Sequence, residues 1–361
     1  MESTEPVLEA APGGPGADVE GIAAGPVTAW FEDHVAGVVA PLTFELIAGG
    51  RSNLTYRVTD TAGRAFALRR PPTSHVLATA HDMVREYTVI SALGPTPVPV
   101  PVTLGLCTDE TVNGSDFYVM EFVEGHIVRD ALGAERDLDE EGRRRAGLSI
   151  AQTLAALHAV NVDAVGLGQF AKREGYIERQ LRRWYGQFDK SQVPGSDTAG
   201  IVGEVHERLA AAIPPQLGST IVHGDYRLDN TVLGDDGTVR AVLDWEICTL
   251  GDPLADMGLL MVYWTEPGDE VSAILGVTPT TVPGFPSRAE MRAAYEAASG
   301  RDLSRLSYYV AFGYWKLACI LQGVYARYVG GAAAGDRSSV DGFAGSVVRL
   351  AEAARASLDA G

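Results

Sequence analysis

The sequence predicts an α+β chain in two lobes: a five-stranded antiparallel lobe with one helix, then a mainly helical lobe. Three observations predict this. Residues 42–122 carry short apolar-alternating runs divided by glycine and proline turns, the pattern of strands. From about residue 124 onward the apolar spacing becomes that of helices. Between the helical stretches lies Ile221-Val222-His223-Gly224-Asp225-Tyr226-Arg227-Leu228-Asp229-Asn230, followed by Val242-Leu243-Asp244-Trp245-Glu246. This stretch gives a turn, a carboxylate, a carboxamide five positions later, a short hairpin and a second carboxylate.

The chain of 361 residues is long enough for a large core and two lobes. Apolar content of 46% with 21% charged residues fits a globular enzyme. A formal charge of −18 argues against nucleic acid as a partner. Cys107, Cys248 and Cys319 are dispersed and odd in number, which argues against a disulfide framework or a zinc site and predicts a reducing cytoplasm. Residues 1–26 are rich in Gly, Ala and Pro, lack a basic start and an apolar run, and are expected to form a disordered tail rather than a secretory signal. The longest apolar stretch, near Tyr308 to Val324, is interrupted by Lys316 and Gln322, so it reads as a buried helix and no membrane partner is expected.

The first lobe is expected over 27–122. Val27 to Val38 has helical spacing. Phe44 to Ala48, Leu54 to Val58 and Arg64 to Arg69 read as three strands of a meander, with Gly49-Gly50-Arg51-Ser52-Asn53 as the turn between the first two. Ser74 can cap a helix reaching Leu93. Four prolines at 95, 97, 99 and 101 force an extended connector. Val102 to Cys107 and Asp116 to Phe122 complete the five strands around the Asn113-Gly114 turn.

The second lobe is expected over 123–361. Its helices are predicted at Asp139 to Val160, with a buried stripe of Leu148, Ala151, Leu154, Ala155 and Leu157, and at Tyr176 to Phe188 and Asp197 to Ile213. Four more follow at Leu254 to Trp264, Ser287 to Ala298, Leu303 to Tyr328 and Val340 to Leu358, with a loop over Thr265 to Gly284.

The chemistry points to phosphoryl transfer. An acceptor hydroxyl needs a carboxylate within hydrogen-bond reach, a role that suits Asp225. Asn230 offers a neutral oxygen and Asp244 an ionised one, the hard ligands Mg²⁺ prefers alongside water and phosphate. A purely structural hairpin with a turn aspartate would account for fewer of these features together. Arg227, between base and metal ligand, is placed to steady the transferring phosphate or to sit in solvent. The backbone amides of residues 49–53 could lie over nucleotide phosphates, although no Walker sequence is present.

HGDYRLDN, VLDWE and GDPLADMG together resemble the aminoglycoside phosphotransferase and choline kinase-like family, a branch of the protein-kinase-like fold. The resemblance runs from about Leu46 to Tyr328. The runs AGGRSNLTY, LRRPP and QGVYARY are most similar to the phosphotransferase-like domains related to those fused to acyl-CoA dehydrogenases. It implies ATP and Mg²⁺ as cofactors, Asp225 as catalytic base, and Asn230 and Asp244 as metal ligands. It also implies a nucleotide site of Gly49, Gly50, Arg51, Ser52, Asn53, Ala67, Arg69, Glu86, Met120, Glu121 and Val123. The strand 117–123 would carry the adenine, bonded by the backbone of Glu121 and Val123 and lined by Met120.

One departure stands out. Protein kinases carry a lysine on the third strand, paired with a helical glutamate. Lysines occur here only at 172, 190 and 316. Strand alternation puts Ala67 and Arg69 on one face, so Arg69 takes the lysine's place, with Glu86 as partner. His158, His223, Asp252 and Asp256 read as packing or bracing residues. The expected function is transfer of the ATP γ-phosphoryl group to a small-molecule hydroxyl on a hydroxyacyl-CoA-like metabolite, aminoglycoside, choline-like compound or sugar. The absent lysine keeps open a nucleotide-binding module without transfer activity.

Overall fold

The computed structural model describes residues 19–48, 53–73, 82–269, 274, 278–330 and 341–361. These fall into two units. The first comprises the residues up to Glu124 together with Asp244–Glu246; the second comprises Gly125–Leu243 and Ile247–Gly361. Val123 and Glu124 thus group with the first unit, and the three-residue return at 244–246 joins it from far along the chain.

In the first unit, α1 (Ala24–His34) precedes strands β1 (Thr43–Ala48), β2 (Leu54–Thr59) and β3 (Ala65–Arg70). Then come α2 (Met83–Leu93), β4 (Thr103–Cys107), the four-residue α3 (Glu110–Asn113) and β5 (Phe117–Glu121). The strands form one antiparallel sheet in the order β1-β2-β3-β5-β4. Residues 66, 68, 117 and 119 point to the face covered by α1. There Trp30 meets Phe117 at 4.9 Å and Phe31 meets Phe66 at 5.7 Å, both edge-on. Residues 69 and 118 point to the other face, toward α2.

Two expectations are corrected here. The disordered tail expected over residues 1–26 is contradicted at 19–26, which are placed; residues 1–18 lie outside the described residues. Ile22 and Ala24 are buried in the sheet core, the Tyr56 hydroxyl donates to the Glu20 carbonyl at 2.6 Å, and Arg70 donates to the Gly21 carbonyl. Small residues suggested disorder by composition, yet they are what fits under the sheet. The Asn113-Gly114 turn is the end of α3, with Gly114 at φ 71° as its left-handed cap. The expected start of the second helix at Ser74 lies outside the described residues; α2 begins at Met83, where Asp82 accepts a hydrogen bond from the Arg85 N–H.

The second unit contains α4 (Ala131–Asp137), α5 (Glu140–Ala159), α6 (Tyr176–Lys190) and α7 (Thr198–Ala211). Next come β6 (Thr220–Val222), a 3-10 turn over Leu228–Asn230, β7 (Thr231–Leu233), β8 (Val239–Val242) and β9 (Thr249–Gly251). The chain ends with α8 (Leu254–Tyr263), α9 (Arg288–Ser299), α10 (Leu306–Val329) and α11 (Asp341–Asp359). The expected 265–284 loop includes a further 3-10 turn at Pro279–Thr281. β6 pairs with β9 and β7 with β8, so two short ladders hold the ends of the 223–230 loop. In α5 the buried side includes Ala151, Leu154, Ala155 and Leu157, but Ile150 replaces Leu148, which is half-buried. α8 and α10 approach closely through glycine: a Cβ on Gly258 would lie 2.5 Å from the Tyr309 backbone.

Candidate functional site

The loop after β6 is fixed by backbone hydrogen bonds to a single carboxylate. Asp256, on α8 and fully buried, accepts from the N–H of His223 at 2.6 Å and of Gly224 at 2.8 Å. Burial pushes its carboxyl up in pKa, but hydrogen bonds from His158 and Gly224 and the nearby histidine rings outweigh that and hold it below the usual carboxylate range. His223 donates from Nε2 to the Leu243 carbonyl at 2.8 Å, and its Nδ1 accepts from the Asp225 N–H at 3.3 Å. Both ring nitrogens are thus engaged with backbone, as a brace requires.

Asp225 is half-buried. Asn230 spends its amide nitrogen on the Asp225 carbonyl at 2.9 Å and on the Asp225 carboxylate at 3.1 Å. That arrangement leaves Oδ1 of Asn230 on the far side of its amide from these two contacts. Tyr263 also bonds the Asp225 carboxylate, and burial, then the Asp225 charge, pushes the phenol well above its ordinary pKa. Arg227 stacks over the Tyr263 ring at 5.0 Å and is drawn to two carboxylates, with Nε 3.4 Å from Asp225 Oδ2 and Nη2 2.9 Å from Asp229 Oδ2. Burial raises the pKa of Asp229 and Arg227 partly offsets it.

The first unit holds a second polar cluster. Arg69, 12% exposed, lies with Nε 3.0 Å from Glu86 Oε2, Nη2 against Asp244 Oδ1, and Nη2 3.9 Å from Glu246 Oε2. The Nε contact is an ion pair without an aligned hydrogen bond. Burial alone would weaken the Arg69 charge, but Glu86, Tyr118, Asp244 and Glu246 raise its pKa above the ordinary value. Glu86 is 1% exposed and accepts from Asn53 at 2.6 Å and from the Tyr118 hydroxyl at 3.0 Å. Burial pushes the Glu86 carboxyl up to about 7, against the pull of Arg69. Asn53 also donates to Glu246 at 3.3 Å. Asp244 has φ 63°, the one left-handed residue other than glycine among the described residues. Such a backbone costs of order 1–3 kcal/mol, and strained positions of this kind cluster at active sites and ligand clamps.

The model of the phosphotransferase enzyme family matches residues 43–309. The chain belongs to this family. It is 33% identical over 306 residues to acyl-CoA dehydrogenase family member 10 of Mus musculus, covering 83% of this chain and 28% of that protein. It is 34% identical over 337 residues to acyl-CoA dehydrogenase family member 11 of Gallus gallus, covering 89% of this chain and 41% of that protein. The chain thus spans well under half the length of these relatives. Among solved structures, it is 31% identical to a Ralstonia eutropha protein provisionally described as an aminoglycoside phosphotransferase, with a TM-score of 0.78 over 92% of this chain and 97% of that one. Aminoglycoside 2′-phosphotransferase-IIIa, solved with GDP, shares the fold with a TM-score of 0.60 at 14% identity, over 91% of this chain and 96% of that one. The kinase-like fold follows from these matches together with the five-stranded sheet and helical second unit.

In this member of the family the anticipated residues lie as follows. Ala67 faces Met120 and Arg69 faces Tyr118 across the β3–β5 ladder, so all four share one sheet face. Ala67 and Met120 are buried, Glu121 is exposed and Val123 half-buried. Gly49, Gly50, Arg51 and Ser52 lie outside the described residues; Asn53 lies in the Glu86 cluster rather than in a phosphate-binding turn alone. Arg227 is engaged by carboxylates of its own loop. Residue type alone gives no sign of the contacts made by Tyr118, Glu246, Asp229, Tyr263 or Lys316. A tyrosine in a buried strand carries no signal of its hydroxyl's partner, and Glu246 was legible only as part of VLDWE. Among the described residues, no helix is long and apolar enough to cross a membrane. Among them, too, no three His, Cys, Asp or Glu side chains are grouped to hold a metal ion.

Proposed function

We propose that the chain transfers the γ-phosphoryl group of ATP to a hydroxyl group of a small molecule. The observation that carries this reading is the 223–230 loop, in which a half-buried carboxylate is held by its own loop's asparagine on a backbone clamped by Asp256. Asp225 orients the acceptor hydroxyl and takes its proton as the bond to phosphorus forms. Asn230 presents Oδ1, and Asp244 an ionised oxygen, as Mg²⁺ ligands; the ion when bound neutralises phosphate charge. Arg69, oriented by Glu86, binds the nucleotide phosphates, with residues 49–53 over them. Ala67 and Met120 line the adenine pocket, and the backbones of Glu121 and Val123 hold its edge. Arg227 moves from its carboxylate partners to the transferring phosphate.

The acceptor class is open to a direct screen of ADP release with aminoglycosides, choline-like compounds, sugars and hydroxyacyl-CoA thioesters. The last are suggested by the names of the mouse and chicken relatives. With any acceptor found, Asp225→Ala is expected to lower kcat by about 10²–10⁴-fold, while the thermal shift produced by ATP is retained. Unchanged turnover overturns the assignment of the base.

The ion pair between Arg69 and Asp244 favours a second reading, because it occupies the carboxylate assigned to Mg²⁺. In that reading the chain binds nucleotide and transfers nothing. ATP-induced stabilisation that is indifferent to Mg²⁺, with no acceptor turned over, supports it.

A further inference from the structure

The peptide bond that leads into Asp225 is held at both ends. Its N–H, on Asp225, is directed to Nδ1 of His223 at 3.3 Å. Its carbonyl, on Gly224, accepts from Nζ of Lys316 at 2.8 Å. Gly224 has φ 87° and its own N–H goes to Asp256, so this residue is clamped by a carboxylate on α8 and an ammonium on α10. A Cβ there would also meet Ile247 at 3.1 Å, so both the backbone angle and the space favour glycine.

Lys316 is an unexpected residue for this task. It is 7% exposed, on a helix whose neighbours Tyr314, Trp315, Leu317 and Ala318 are core residues. Its Nζ lies 5.5 Å from the centroid of the Trp184 ring on α6, a cation–π contact. Among the described residues it has no carboxylate within ion-pair distance. Burying an ammonium costs several kcal/mol, and a neutral donor would satisfy one carbonyl more cheaply. Burial lowers the pKa of the Lys316 amine, Arg183 adds to that, and the charges of Asp225 and Asp256 oppose it by favouring the protonated form. The other two lysines, Lys172 and Lys190, are exposed.

We propose that Lys316 is a positioning residue for the phosphoryl-transfer site: its ammonium fixes the Gly224 carbonyl, sets the plane from which the Asp225 side chain projects, and supplies a buried counter-charge to that carboxylate. The proposal rests on the reading of Asp225 as base, with Lys316 acting through the Gly224 carbonyl. Nothing in the sequence distinguishes this lysine from a helix residue that lines a wall. What distinguishes it is the convergence of α10, α8 and His223 on one peptide unit.

The test uses the full chain. Lys316→Met keeps length and apolar bulk and removes the donor and the charge; Lys316→Arg keeps both in altered geometry. With MgATP and any acceptor turned over, Lys316→Met is expected to lower kcat about 10- to 100-fold, with the KM for ATP within about twofold and the ATP-induced thermal shift intact. Lys316→Arg should recover part of kcat. A variant that loses thermal stability but keeps wild-type kcat in its folded fraction shows a packing role only and overturns the proposal. A second measurement does not depend on turnover. Protein labelled with ¹³C at lysine Cε gives three resonances, and Asp225→Asn should move the buried one while leaving the two exposed ones in place. If the buried resonance does not respond to Asp225→Asn, the coupling is absent and the proposal fails. Absence of transfer by the wild type, with the resonance responding, counts against the functional reading and not against the coupling.

Discussion

At the scale of single residues, the Arg69–Glu86 pair makes the sharpest energetic statement. Glu86 is buried with a carboxyl pushed up to about 7, so the folded state favours its protonated form relative to an ordinary glutamate near 4.5. A folded pKa above the unfolded one means that stability is fully present below about 4.5 and is lost as the pH rises through about 7. Arg69 limits that loss by favouring the charged form. Arg69→Met removes the cation, raises the Glu86 pKa further and extends the loss to higher pH. The expected cost is about 3 kcal/mol at pH 8, the low end for a broken buried pair, and clearly less at pH 6, where Glu86 is largely protonated in both proteins. Denaturant unfolding at the two pH values measures this; an equal cost at both rejects the account. Arg69→Lys keeps the charge but not the fork that reaches both Glu86 and Asp244. Much of this cluster was readable beforehand. Alternation along β3 placed Arg69 and not Arg70 on the face with the glutamate, because a period of two is insensitive to tertiary detail. The left-handed backbone of Asp244 and the hydroxyl of Tyr118 were not readable, because neither leaves a trace in residue type.

At the scale of elements, one buried histidine ties three helices. His158 on α5 lies with Nδ1 2.8 Å from the Tyr295 hydroxyl on α9 and Nε2 3.4 Å from Asp256 on α8. Burial lowers its pKa below 6.5, opposed by the hydrogen bond and charge of Asp256. A depressed folded pKa means that the unfolded chain takes up the proton first. Stability is therefore present above about 6.5 and falls as the pH drops below it. His158→Gln keeps a donor toward Asp256 and cannot titrate. It is expected to show a smaller drop in melting temperature between pH 7.5 and pH 5.5 than the wild type, measured by calorimetry at each pH; an equal or larger drop removes His158 from the acid response. The helices themselves were largely legible, since α6, α8, α9, α10 and α11 lie within a few residues of where apolar periodicity put them. The short strands β6 and β9 and the helix α4 were not. Three residues are too few to show a period, and the pairing of Thr220 with Gly251 depends on a contact across 31 positions. Burial of Ile22 and Ala24 escaped for a related reason: composition describes a segment's neighbours in sequence, whereas these two residues are buried by the sheet.

At the scale of the whole molecule, charge is the dominant feature. With 47 acidic and 29 basic residues, the formal charge is −18 near neutral pH. Two electrostatic effects then respond oppositely to salt. Exposed ion pairs such as Arg144–Glu290, Arg173–Asp163 and Arg208–Asp359 weaken as salt is added. Each is worth about 0–1 kcal/mol at most. Repulsion among the surplus carboxylates also weakens, and it opposes the compact state throughout the chain. The surplus is not paired away, so relief of repulsion should exceed loss of the pairs. The Debye length shortens from about 20 Å to about 6 Å as NaCl goes from about 20 mM to about 300 mM, which spans the spacing of neighbouring surface charges. The melting temperature is therefore expected to rise over that range at pH 7.5, with EDTA present so that divalent cations do not contribute. The buried Arg69–Glu86 pair is shielded from the added ions and should not reverse the trend. A melting temperature that falls with NaCl would show that ion-pair networks, and not the surplus charge, govern the electrostatics of this chain.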